Sequence, residues 1–78
     1  MEKYSFRNNL PSGIINAVGN MNRKNAAQHF LGLVNHLSTN NYPTKVVLRN
    51  ERNKPLRGTI QVEIDGFFYY VELYKMED

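Results

Sequence analysis

The stretch from residue 57 to residue 75, RGTIQVEIDGFFYYVELYK, predicts a β-hairpin. Two runs rich in β-branched and aromatic residues flank Asp65 and Gly66. This dipeptide is typical of a two-residue type I′ turn, in which both central residues need a positive φ. Such a turn fixes the register, so that Ile64 faces Phe67 and alternate side chains share a face. One face is then apolar and is expected to be buried: Gly58, Ile60, Val62, Ile64, Phe67, Tyr69, Val71 and Leu73.

The opposite face of the hairpin is polar on the first strand and partly aromatic on the second. If helices cover only the apolar face, three aromatic side chains stand in water, which is more than a small monomer usually shows. They predict a docking surface, since aromatic residues dominate interface energetics. The alternatives are that Tyr4 and Phe6 of the N-terminal arm cover them, or that a second copy of the chain does so in a homodimer. The residues of this face are Arg57, Thr59, Gln61, Glu63, Phe68, Tyr70, Glu72 and Tyr74.

Residues 22–38 predict the main helix, with Asn22 as its N-cap. Residues 10–19 predict a second, shorter helix. Residues 1–9 predict a short edge strand or an ordered arm, and residues 45–49 predict a short strand. The main helix has one apolar sector about 100° wide, which contains Ala26, Phe30, Leu33, Val34 and Leu37.

These elements predict a single small α+β domain spanning residues 1–78. We expect two layers, with two N-terminal helices, one short and one long, packed on one face of a three-stranded antiparallel sheet. The chain has no cysteine, which excludes disulfides and cysteine-based sites. The N-terminal sequence MEKYSFRNNL lacks the apolar region of a signal peptide, and no apolar run reaches the ~20 residues that cross a bilayer. The sequence therefore predicts a cytoplasmic protein without a membrane partner.

Half of the Lys and Arg residues of the chain lie between positions 45 and 57. A basic cluster beside an aromatic sheet face is typical of proteins that bind single-stranded nucleic acid. Two alternatives remain. The cluster is a solvated turn whose charges prevent an edge strand from pairing with other molecules, or it binds an acidic protein. Its members are Lys45, Arg49, Arg52, Lys54 and Arg57.

The sequence contains little that indicates catalysis or metal binding. His29 and His36 lie two helical turns apart, about 10 Å by helix rise, which is too far for them to bind one zinc ion. There is no Gly-rich phosphate loop, nucleophile elbow or HExxH motif. We therefore expect no catalytic residue, no metal and no cofactor. One enzymatic alternative remains, because two helices followed by a three-stranded sheet with basic and Tyr side chains resembles the RelE-type ribonuclease toxins.

The leading hypothesis is a small non-enzymatic binding module that acts by protein–protein contact. Small size, the absence of cysteine and one docking face suit an accessory protein of a phage or mobile element that inhibits or modulates a larger host protein. The alternative is nucleic-acid binding, in which the aromatic face stacks on bases and residues 45–57 contact phosphates. The predicted partner-binding residues are Phe68, Tyr70, Tyr74, Arg49, Arg52, Lys54 and Arg57.

Overall fold

The computed structural model describes residues 2–15 and 19–77. In this part of the chain the regular elements are β1 (Tyr4–Asn8), α1 (Arg23–Thr39), β2 (Thr44–Arg49), β3 (Arg57–Ile64) and β4 (Phe67–Lys75). The strands form one antiparallel sheet in the order β1-β4-β3-β2. Helix α1 packs on one face of this sheet and joins its two edge strands. The small α+β class is confirmed.

The predicted hairpin is confirmed, and so is its register. The strands β3 and β4 pair from Gly58 opposite Leu73 to Ile64 opposite Phe67. The turn residues Asp65 and Gly66 have φ values of 52° and 83°, the positive values that a type I′ turn requires. The local signal was sufficient here because turn chemistry and strand alternation favour the same pairing.

The prediction of two helices on a three-stranded sheet is wrong, because residues 2–15 and 19–77 contain one helix and a four-stranded sheet. Residues 10–15 are not helical, and residues 16–18 of the predicted short helix lie outside the described part. Gly13 has a φ of 86°, which a right-handed helix does not allow, and residues 12–13 form a turn. The resemblance to RelE-type toxins depended on the element order that the structure overturns.

The additional strand is β1, which pairs with β4 from Tyr4 opposite Lys75 to Asn8 opposite Val71. Its aromatic residues alternate along the strand, so Tyr4 and Phe6 both point toward α1 and are buried. Pairing with β1 therefore provides hydrogen-bond partners for the edge of β4 that faces away from β3, and it adds two rings to the core. The same geometry excludes the idea that these two rings cover the opposite face of the sheet.

The main helix is confirmed with its N-cap. The Asn22 side chain accepts a hydrogen bond from the Asn25 backbone N–H at 2.8 Å. Val34 of the predicted apolar sector is only partly buried, whereas the other four members are core residues. No helix in the described ranges is long and apolar enough to span a membrane. The buried core consists of Tyr4, Phe6, Met21, Ala26, Phe30, Leu33, Leu37, Leu56, Ile60, Val62, Ile64, Val71 and Leu73.

On the apolar face of the hairpin Tyr69 is half-buried, and Phe67 departs further from the prediction. It was expected to be buried, but its side chain is 67% exposed. The hairpin extends beyond its neighbours, since the pairing of β2 stops at Val62 and that of β1 stops at Val71. The end of the hairpin that contains the turn therefore projects beyond β1 and β2.

The Phe30 ring of the helix packs directly on Gly58 of the sheet. An added Cβ at Gly58 would lie 2.6 Å from Phe30 Cε2, closer than any van der Waals contact allows. Gly58 is buried and lies on the helix side of β3. The absence of a side chain at this position is what lets the helix approach the sheet.

We expect Gly58→Ala to lower the free energy of unfolding by about 1–3 kcal/mol, because the added methyl group forces the Phe30 ring to move. Gly32 is the matched control: an added Cβ there meets nothing within 4 Å. Gly32→Ala should stabilise the helix by up to about 1 kcal/mol. Urea denaturation of both variants measures the difference, and equal stabilities would contradict the packing described.

Candidate interaction surface

The face of the sheet that points away from α1 carries the predicted partner-binding rings. Phe68 and Tyr70 are 64% and 47% exposed, so the described residues leave this part of the face open to water. Tyr74 is half-buried. The three rings stand on the same face of β4, and the six residue steps from Phe68 to Tyr74 span about 20 Å. Their surroundings differ along this length.

At the projecting end of the hairpin, three aromatic residues are exposed within four positions. We call Phe67, Phe68 and Tyr70 the hairpin end. Phe68 and Tyr70 lie on the open face, and Phe67 lies on the other side of the strand. The cross-strand neighbour of Phe68 is Glu63, and Asp65 lies in the adjoining turn. This end of the sheet is therefore aromatic with acidic neighbours.

The middle of the open face is occupied by an ion pair. Arg7 Nε lies 2.6 Å from Glu72 Oε1, and the Arg7 guanidinium lies 4.0 Å from the centroid of the Tyr74 ring. Tyr74 is therefore stacked under a cation and is not a free ring like Phe68. Arg7 was not predicted as a site residue. The available signal was its place in β1, where it alternates with the two buried rings.

The opposite end of the face is basic. Arg49 of β2 pairs with Arg57 of β3 directly across the strands. Arg57 precedes Gly58, whose partner is Leu73, so it lies beside Tyr74 on β4. These side chains line an open cleft of about 550 Å³, which we call the basic cleft. Its lining consists of Arg7, Arg49, Glu51, Lys54, Pro55, Arg57, Tyr74, Lys75 and Glu77.

The structure thus divides the predicted site between two places. Arg49, Lys54, Arg57 and Tyr74 come together in the basic cleft. Phe68 and Tyr70 lie at the other end of β4. Arg52 is exposed and is not part of the cleft lining. Lys45 lies opposite Gln61, and Gln61 lies opposite Tyr70. Lys45 is therefore on the open face, two strands away from Tyr70 and outside the cleft lining.

The loop that carries the cleft residues is held in place by Arg23, the first residue of α1. Its guanidinium donates to the backbone carbonyls of Glu51 and Lys54 at 2.9 and 2.7 Å and to Asn50 Oδ1 at 2.9 Å. On the buried side, the Tyr4 hydroxyl accepts from the Leu56 backbone N–H at 3.2 Å. Hydrogen bonds of this kind give residues 50–56 a defined position beside the sheet.

The histidines have separate surroundings. His36 Nε2 lies 3.2 Å from the Ile14 carbonyl oxygen, and this contact attaches Ile14 to the helix. The His29 ring packs against Phe6, with 5.3 Å between ring centroids. In residues 2–15 and 19–77 no group of three or more His, Cys, Asp or Glu side chains is placed to hold a metal ion.

No protein-family model, curated protein or solved structure matches this chain in the three comparisons made with known proteins. The chemistry of the hairpin end and of the basic cleft is therefore what indicates a function.

We expect Tyr4→Phe to lower the free energy of unfolding by about 1–2 kcal/mol, because the buried Leu56 N–H loses its acceptor. Amide hydrogen exchange at Leu56 should become faster, since the loop loses its inner attachment. Tyr70→Phe, which removes a hydroxyl from an exposed ring, is the control and should stay within about 0.5 kcal/mol of the parent. Unchanged exchange at Leu56 would show that the hydroxyl does not hold the loop.

Proposed function

We propose that this chain is a non-enzymatic binding module that docks on another protein through the hairpin end. The observation that supports this is the exposure of Phe67, Phe68 and Tyr70, at 67%, 64% and 47%. Side chains of this size place roughly 300–400 Å² of aromatic surface in water. This area is divided between the two sides of the strand, and its total is comparable with the largest apolar patch on a typical monomer, which is often functional.

The acidic neighbours of the hairpin end favour a protein partner over a nucleic acid. Glu63 lies opposite Phe68, and Asp65 adjoins them in the turn. Carboxylates beside the rings repel phosphate groups, and Arg57 lies about 20 Å from Phe68 and about 13 Å from Tyr70 along the sheet. Binding to an apolar pocket of a protein, in contrast, is favoured by about 1.5–3 kcal/mol of free energy for each aromatic or aliphatic side chain that the pocket fully buries.

The backbone around the hairpin end indicates how it would dock. Asn9 closes the edge of β4 at Tyr70: its Oδ1 accepts from the Tyr70 N–H at 2.8 Å, and its N–H donates to the Tyr70 carbonyl at 3.3 Å. Strand addition along the rest of that edge is therefore blocked by β1. We infer that the hairpin end inserts as a finger, with its side chains and not its backbone making the contact.

On this proposal the partner is a larger protein with an apolar pocket, and the chain acts by occupying it. Occupation of a pocket by a small module is the way in which accessory proteins of phages and mobile elements would inhibit or modulate a host protein. The identity of the partner decides between this hypothesis and other roles of a docking module.

The test compares variants that change the hairpin end with one that removes an apolar side chain elsewhere. Phe68→Ala and Tyr70→Ala should each weaken partner binding by about 2 kcal/mol, as hot-spot aromatics do. The control is Leu31→Ala, since Leu31 is 57% exposed on the helix and should leave binding unchanged. Quantitative affinity capture from the source cells, followed by titration of the purified partner, measures all three.

Two results would contradict the proposal. If Tyr70→Ala unfolds, Tyr70 belongs to the core and the face is wrongly assigned. If light scattering shows a dimer that Phe68→Ala converts to monomer, the hairpin end binds a second copy of the chain instead of a different protein.

A further inference from the structure

We propose that the basic cleft is a second binding site, which takes the phosphodiester backbone of a single-stranded nucleic acid. It lies at the opposite end of the open face from the hairpin end and shares no residue with it. The inference is therefore independent of the docking function proposed above. It depends on the charge arrangement in the cleft and on the Arg7–Tyr74 stack at its side.

The first observation is the like-charged pair of Arg49 and Arg57. Like charges directly opposite on neighbouring strands destabilise a sheet. Within the described ranges neither guanidinium has a carboxylate oxygen within 4.0 Å, the limit for an ion pair, so an anion would relieve their repulsion. Two guanidinium groups on adjacent strands can each give a phosphate a pair of parallel hydrogen bonds.

The other cations of the cleft are already neutralised in part. Arg7 is paired with Glu72 at 2.6 Å and Lys54 with Glu51 at 3.1 Å, whereas Lys75 lies 4.0 Å from Glu2. Glu77 also lines the cleft and opposes an anion. The strongest position for a phosphate is therefore between Arg49 and Arg57.

The second observation favours nucleic acid over other polyanions as the ligand of the basic cleft. The Arg7 guanidinium and the Tyr74 ring form a stack, with 4.0 Å from the cation to the ring centroid. Tyr74 lies in the strand next to Arg57, about 5 Å away by strand spacing. Bases of single strands stack on guanidinium planes as well as on aromatic rings, so the outer face of the exposed Arg7 guanidinium can take a base, whereas an acidic peptide gains nothing from such a platform. A cleft of about 550 Å³ has room for more than one phosphate group.

The test uses a fluorescein-labelled oligodeoxythymidine of about 12 nucleotides, with fluorescence anisotropy read between about 50 and 200 mM salt. The variant is Arg57→Gln, and the matched control is Arg52→Gln, which removes the same charge from an exposed residue outside the cleft lining. We expect Arg57→Gln to weaken binding about tenfold and to reduce the log–log salt slope by about 1. Arg52→Gln should change affinity less than about twofold.

A third variant has the opposite expected sign. Glu77→Gln removes a carboxylate from the cleft and should tighten binding about twofold to threefold at low salt. Tyr70→Ala, at the hairpin end, should bind the oligonucleotide as the parent does. Loss of binding in Tyr70→Ala would overturn the assignment to a separate cleft without bearing on whether the hairpin end docks on a protein.

Three further results would overturn the inference. One is that the parent protein fails to bind the oligonucleotide at about 50 mM salt. A second is that Arg52→Gln and Arg57→Gln weaken binding equally, which would show that net charge alone is responsible. The third is that poly-glutamate competes as well as the unlabelled oligonucleotide, since stacking would then contribute nothing. Circular dichroism of Arg57→Gln checks that the exposed substitution has left the fold intact.

Discussion

Burial of Tyr4 joins the parts of this molecule that local sequence leaves separate. Its ring lies in the core at 0% exposure, its backbone pairs with Met21, and its hydroxyl accepts from the Leu56 N–H. These contacts hold β1 along β4 and fix the end of the loop before β3. Pairing of β1 in turn places Arg7 across from Glu72 and over Tyr74. Both the closed edge of β4 and the ion pair in the middle of the open face follow from that one burial.

The open face is organised by charge along its length. Acidic residues accompany the exposed rings of the hairpin end, an ion pair occupies the middle, and two arginines face each other at the far end. Electrostatic interactions weaken with distance and are screened by salt within about 8–10 Å. The acidic residues and the arginine pair, which are about 20 Å apart, therefore act as separate surfaces, and an anion that binds between the arginines is repelled at the hairpin end.

Local signals were sufficient wherever neighbouring residues alone decide the structure. The Asp65–Gly66 turn and the alternation around it predicted the hairpin and its register, and Asn22 with its apolar sector predicted the helix. The prediction of a short helix at residues 10–19 also depended only on local signals, and here it is wrong for residues 10–15. Pro11 and the apolar Ile14 and Ile15 are typical of a helical turn, but Gly13 takes a left-handed conformation that ends it. Exposure of Phe67 depends on how far β1 and β2 extend, which no local pattern contains.

The sequence by itself determined the hairpin, the main helix and the face of the hairpin on which Phe68 and Tyr70 stand in water. Period-two alternation and turn chemistry act between near neighbours, so they can be read from the chain. Only the tertiary structure decided that the N-terminal residues form the fourth strand, because that pairing joins residues about seventy positions apart. The same long-range pairing covers Tyr74 with Arg7 and leaves Phe68 and Tyr70 free. The pairing of β1 with β4 therefore separates an aromatic surface from a basic cleft, whereas the sequence predicted a single face.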